Sequence, residues 1–193
     1  MTVPDSGRVE VGDSLHPSAR ALNGRGDPVT ADIVWSALDT TIEVVDLAGT
    51  TVGRITGTGR LQARVGNLRS NPVTISVIAR LDSIAAGPAV RDTVTVSTPD
   101  SLSDSLSVRA FGPAGSTAGR TIGLTLTFPP GAISLTLIPG DTVRTSAAGI
   151  AVFQVRLTGA PRPDSAVVTA AAHHGDGTPV PGSPITFVVE FQP

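Results

Sequence analysis

The chain has 193 residues and a formal net charge of −2, with neither Cys nor Lys in the sequence. That charge creates no overall field toward nucleic acid or an anionic membrane, and the missing Cys excludes disulfide scaffolds, thiolate metal sites and Cys nucleophiles. Hydrophobic residues reach 40% but aromatic ones only 3%, so Val, Ile, Leu and Ala must fill the interior.

Taken along the chain, helical periodicity is nearly absent: no stretch of a dozen residues sustains apolar positions at a 3.6-residue spacing, and Gly (21) and Pro (16) punctuate the sequence often. Alternation of apolar and polar residues recurs instead. It predicts strands near 8–11, 14–22, 31–37, 42–46, 50–56, 60–66 and 72–78 in a first set. A second set lies near 93–97, 105–111, 121–128, 133–138, 150–157, 165–172 and 184–191. Leu61, Ala63 and Val65 alternate with Arg60, Gln62 and Arg64; Ala151, Phe153, Val155 and Leu157 alternate with Gln154 and Arg156. Asn23-Gly24 signals a reversal and Gly57-Thr58-Gly59 a tight hairpin. Pro129-Pro130-Gly131 and Pro139-Gly140-Asp141 break the second set. Two sets of about seven short strands, with turn signals every ~8–12 residues, match a pair of antiparallel sandwiches.

The two halves fill their cores differently. The single Trp, Trp35, lies in the first set, and all five Phe (111, 128, 153, 187 and 191) lie in the second. Trp35, Phe128, Phe153 and Phe187 are therefore the expected core anchors. The boundary falls near Ala79-Arg80, giving domains 1–79 and 80–193, with the weak segment 80–92 leading into the second.

Particular residues carry a family resemblance. Val11-Gly12-Asp13-Ser14-Leu15, Asn23-Gly24, Ile33-Val34-Trp35-Ser36, Ile42-Glu43-Val44-Val45-Asp46 and Val73-Thr74-Ile75-Ser76-Val77 make the first half resemble group 2 bacterial immunoglobulin-like domains. Pro17 departs from that pattern and would confine its strand to an edge or bulge. Leu106-Ser107-Val108-Arg109-Ala110, Thr145-Ser146-Ala147-Ala148-Gly149-Ile150-Ala151 and Val167-Val168-Thr169-Ala170 make the second half similar to the invasin/intimin-type group 1 family. The resemblance implies an all-β chain of two tandem immunoglobulin-like antiparallel β-sandwiches. It also implies surface adhesins, stalk spacers and accessory modules of envelope proteins, and it transfers no catalytic residue.

The candidate chemistry is sparse. His173-His174-Gly175-Asp176 is the one His cluster, but adjacent strand side chains diverge, so a solvated turn is expected and no metal site. Gly112-Pro113-Ala114-Gly115 opens no helix and makes no phosphate cradle. No Gly-x-Ser-x-Gly elbow is present. Asp82, Asp92, Asp100 and Asp104 gather at the entry of the second domain, where their spacing fits no calcium loop of the EF-hand type. Arg25-Gly26-Asp27 spells an integrin tripeptide in a loop where Gly and Asp are expected in any case. Catalytic residues, cofactors and metals are accordingly expected to be none.

Charge distribution says more. Residues 1–50 hold eight acids and three Arg, whereas 51–80 hold five Arg and no acid. Arg60 and Arg64 share an outer strand face with Gln62, and Arg54 precedes them. These three arginines form either a basic partner-contact patch or ion pairs with acids of the first half. The Arg-only basic set reads as coding bias of a GC-rich bacterial genome.

The expected role is a non-catalytic structural or interaction protein of the bacterial cell envelope, working by protein–protein contact as stalk, adhesin segment or docked subunit. The expected location is the periplasm or cell surface. No run approaches the ~18 apolar residues of a membrane span, the N-terminus lacks a signal-peptide pattern, and no nucleic-acid partner is implied. One alternative is a periplasmic accessory subunit stabilising a membrane-embedded, for example energy-transducing, complex, since the chain starts and stops at domain edges without an anchor. Another is a carbohydrate-binding module, for which Phe111, out of phase with Leu106, Val108 and Ala110, is the available exposed aromatic.

Overall fold

The computed structural model describes residues 1–4, 7–96, 100–129, 135–159 and 161–192. Among them the chain is all-β, without a helix. It separates into two compact units, Met1–Arg80 and Leu81–Pro193.

The first unit contains β1 (Arg8–Glu10), β2 (Ser14–Leu15), β3 (Ala21–Leu22), β4 (Pro28–Val29) and β5 (Val34–Ala37). It continues with β6 (Ile42–Val44), β7 (Thr51–Gly53), β8 (Gly57–Val65), β9 (Leu68–Arg69) and β10 (Val73–Ile78). One sheet runs β1-β10-β8-β5 with β9 beside β8, and a second runs β2-β7-β6. β1 lies parallel to β10 while the other pairs are antiparallel. A sheet of β5, β8 and β10 packed on one of β2, β7 and β6, with the first strand joined to the last, is the immunoglobulin arrangement. Alternation turns Val9, Leu15, Ile42, Leu61, Ile75 and Val77 into a small core, with Trp35, Ala37 and Val44 packed against it.

The predicted strand 14–22 breaks at Pro17, which has no N–H for a ladder; Ser18 instead exchanges backbone bonds with Thr2. Gly57-Thr58-Gly59 is not a hairpin turn, contrary to expectation. These residues begin β8, opposite Val77, Ser76 and Ile75 of β10. Glycine is required at Gly59 by close approach, because a Cβ there would lie 2.6 Å from Thr41 Oγ1 and 2.8 Å from Ile42 Cγ1.

The second unit contains β11 (Ser83–Ala86), β12 (Arg91–Thr95), β13 (Asp100–Leu102), β14 (Leu106–Gly112), β15 (Gly115–Ser116) and β16 (Thr121–Thr127). Then follow β17 (Leu135–Ile138), β18 (Thr142–Arg144), β19 (Ile150–Thr158), β20 (Ser165–Ala171) and β21 (Ile185–Gln192). β11, β14 and β19 form one sheet, with β13 and β17 also on β19. The other runs β12-β21-β20-β16-β18. β12 is parallel to β21, the last strand. β13 and β14 act as one strand with a bulge between them, where Ser103 Oγ accepts the Val155 N–H at 2.8 Å.

Segment 80–92 is not merely a lead-in, as its weak pattern suggested. Ser83–Ala86 pairs with β14 from Phe111 to Val108, and Leu81 and Ile84 are buried in the core. Its signal was weak because the strand has only four residues, two of them Ala. Part of predicted strand 133–138 lies outside the described residues, as do Pro130 and Gly131 of the first break. Pro139-Gly140-Asp141 does separate β17 from β18.

The second core is larger and joins both sheets through Val108, Ala151, Val155, Val168 and Val189, all fully buried. Phe153 and Phe187 meet edge to face at its centre, ring centroids 5.1 Å apart at 85°. Phe128 is only partly buried against this cluster. Replacing Phe153 by Ala is expected to cost about 3–5 kcal/mol, and replacing Phe128 clearly less. Denaturant unfolding of both variants checks this, and equal costs would contradict the placement of the core.

Candidate interaction surface of the first unit

The three arginines, read as a partner-contact patch or as ion-paired within the molecule, differ in their surroundings. Arg54 pairs with Glu43 at 2.6 Å, and both side chains are about half exposed. Arg60 grips Asp39 with two parallel bonds, Nε to Oδ2 at 2.8 Å and Nη2 to Oδ1 at 2.9 Å. Asp39 Oδ2 also accepts the Arg60 backbone N–H at 2.9 Å, tying the loop after β5 to β8. Both acids come from residues 1–50, so these two arginines are paired within the molecule. Arg64 is exposed and has no ion pair among the described residues.

Arg64 has other company. Val65 and Leu68 flank a two-residue turn, Gly66-Asn67, in which Gly66 takes φ 55°. The turn sets Arg69 directly opposite Arg64. Together with Arg20, they line a groove of about 350 Å³ whose apolar wall includes Leu22, Val29 and Leu68. Those three are 50%, 44% and 75% exposed. Arg20, Leu22, Val29, Leu68 and Arg69 were not anticipated as site residues. Gly-Asn between two aliphatic residues is a hairpin signal that would have located Leu68 and Arg69.

A second depression, of about 530 Å³, is lined by Trp35, Asp32, Ile33, Leu47 and Pro17 among others. Trp35 is half-buried here and packs against Gly49. A Cβ on Gly49 would lie 2.5 Å from the indole, and its φ of 92° also favours glycine. Leu47 beside it is 95% exposed.

The other marked residues fall into ordinary structural places. Arg25-Gly26-Asp27 is exposed in the β3–β4 loop, where Asn23 Oδ1 accepts the Arg25 and Asp27 N–H groups. His173 is exposed and His174 buried, in a turn closed by Gly177 N–H to the His174 carbonyl; only part of the expected solvated turn is solvated. Asp100 is paired with Arg156, and Asp92 accepts the Asp104 N–H at 2.8 Å. Phe111 is half-buried between Ser83 of β11 and Ser116 of β15.

No protein-family model matches the chain, and no curated protein matches it in sequence. Among solved structures it is similar to the Yersinia pseudotuberculosis adhesin InvE at 18% identity and TM-score 0.44, covering all of this chain and 58% of that one. The fibronectin(III)-like modules of Clostridium thermocellum CbhA align at 11% identity and TM-score 0.41, over 99% of this chain and 93% of that one. Domains 4 and 5 of the S-layer protein SbsC align at 16% identity and TM-score 0.36, over 93% and 82%.

The hydrogen bonds from the Arg60 side chain hold the Asp39 carboxyl below its ordinary range, against the desolvation that would raise it. A depressed carboxylate contributes stability above its unfolded-state value, about 3.9, and loses it as pH falls through the folded value. An Asp39→Asn variant should therefore unfold more readily than the parent at neutral pH. The gap should close as pH drops below about 3.9. Thermal midpoints of both proteins between neutral and strongly acid pH test this, and a gap independent of pH would refute the assigned pair.

Proposed function

We propose that the chain is a non-catalytic structural and interaction module of a bacterial cell envelope, acting through protein–protein contact. It is built of two immunoglobulin-like domains meeting near residues 79 and 80. The observation that carries the contact role is where exposed apolar surface lies. Of eleven large apolar side chains left exposed among the described residues, eight belong to Met1–Arg80: Leu22, Val29, Val34, Leu38, Val45, Leu47, Ile55 and Leu68. The second unit, with the larger core, exposes three. Contiguous exposed apolar side chains mark contact surfaces, and Leu22, Val29 and Leu68 line one groove. We assign the second unit the scaffold role and the first unit the contact role.

Stalk, adhesin segment and docked subunit are all compatible with this reading, and the periplasm or cell surface is its location. No helix of the described residues is long and apolar enough to cross a membrane. A periplasmic subunit docked on a membrane-embedded complex is the most specific form of the proposal, since such a host would cover the apolar wall of Leu22, Val29 and Leu68. Carbohydrate binding finds less support, because Trp35 packs on Gly49 and Phe111 is half-covered by strands.

Protease treatment of intact cells, and of cells with a permeabilised outer layer, tests the location. Cleavage of the native chain in either preparation is expected before the cytosol is opened. A chain protected until cell lysis would sink the proposal. Separately produced 81–193 should unfold cooperatively on its own, and failure to do so would refute the two-domain reading.

A further inference from the structure

We propose that the groove between the β3–β4 and β8–β9 hairpins docks an acidic segment of a partner protein, its carboxylates against Arg20, Arg64 and Arg69 and its aliphatic side chains against Leu22, Val29 and Leu68. This deepens the reading of the first unit as a contact module and rests on it.

Charge within the groove is one-sided. Three arginines line it and no carboxylate does. The remaining arginines of 51–80 are committed elsewhere: Arg54 to Glu43, Arg60 to Asp39 and Arg80 to Asp13. The register adds a second observation. Arg64 and Arg69 are direct cross-strand partners, so their side chains leave the same face. Opposed like charges destabilise a hairpin. A carboxylate placed between them replaces that repulsion with two charge-assisted hydrogen bonds. The hairpin is thus built at an electrostatic cost that an anionic occupant removes.

The apolar wall and the unit's charge select the kind of anion. Leu22, Val29 and Leu68 offer aliphatic contact next to the cations, and no aromatic residue lines the groove, so stacked bases have no platform. Residues 1–80 hold eight acids and eight arginines, so no net field draws the unit to an anionic bilayer. The attraction is local and suits a peptide that alternates carboxylates with aliphatic side chains.

The test uses the full chain, labelled with nitrogen-15. It is titrated with an acetylated, amidated heptapeptide alternating Glu and Leu, and with its Lys/Leu counterpart. Shifts confined to residues 19–34 and 63–70 are expected with the acidic peptide alone. In an Arg64→Gln/Arg69→Gln variant the affinity should fall at least about tenfold, the loss of roughly one charge-assisted bond. The thermal midpoint of that variant should be no lower than the parent's, because the repulsion is gone. If the double variant does fold poorly, Arg20→Gln, on another segment, must weaken binding on its own.

An equal response to the Lys peptide overturns the proposal, as does no response to either peptide. Binding to phosphatidylglycerol vesicles without response to the peptide also overturns it, in favour of a membrane. Protease accessibility decides the wider reading separately. An envelope-exposed chain indifferent to the acidic peptide sinks only the groove, and a cytosolic chain that binds it sinks only the envelope role.

Discussion

Two sheets can stay together only if the side chains between them interlock, and here that must be done almost entirely with branched aliphatic residues. No disulfide pins the sheets, and the edge-to-face aromatic pair Phe153 with Phe187 supplies bulk at the centre of the second unit. The rest is volume matching across a gap of about 10 Å. Ala151, Phe153, Val155 and Leu157 of β19 face Val168, Ala170, Phe187 and Val189 of the other sheet. Strict alternation is therefore indispensable, since a slip of one residue would turn all of β19's apolar set to solvent.

The first unit meets the same constraint with less material. Six residues make its buried cluster, against twenty-two in the second, and several of its strands have only two or three residues. Glycine substitutes for side-chain volume where the layers come close. Gly49 lets the backbone lie on Trp35, and Gly59 lets β8 approach Thr41 and Ile42. Apolar residues that a fuller sandwich would enclose remain outside, and the proposed contact role rests on that shortage.

The pattern of apolar residues made the strands legible because each long one shows one buried and one wetter face. β8, β14, β16, β19, β20 and β21 all lie close to the predicted ranges. Short pairings escaped. β9 and β15 have two residues each, too few for any period, and β11 was hidden by its alanines. The Gly57-Thr58-Gly59 stretch misled because a glycine needed for close packing and one needed for a turn are identical in sequence. The site was less legible than the fold. Arg54 and Arg60 share their charge pattern with Arg64, yet whether an acid reaches each one depends on which loop folds beside it. The opposition of Arg64 and Arg69 is a matter of register.

In the first unit β1 lies parallel to β10, and in the second β12 lies parallel to β21. The polypeptide enters β12 at Arg91, beside Val188, and leaves β21 at Gln192, beside Thr95. Tension applied through β12 and β21 thus runs along the ladder and loads its hydrogen bonds together in shear, instead of peeling them off one at a time. The corresponding ladder of the first unit spans three residues, Arg8 to Glu10 against Ser76 to Ile78, where that of the second spans five. Pulled along these ladders, the first unit opposes traction with fewer shear-loaded backbone bonds than the second.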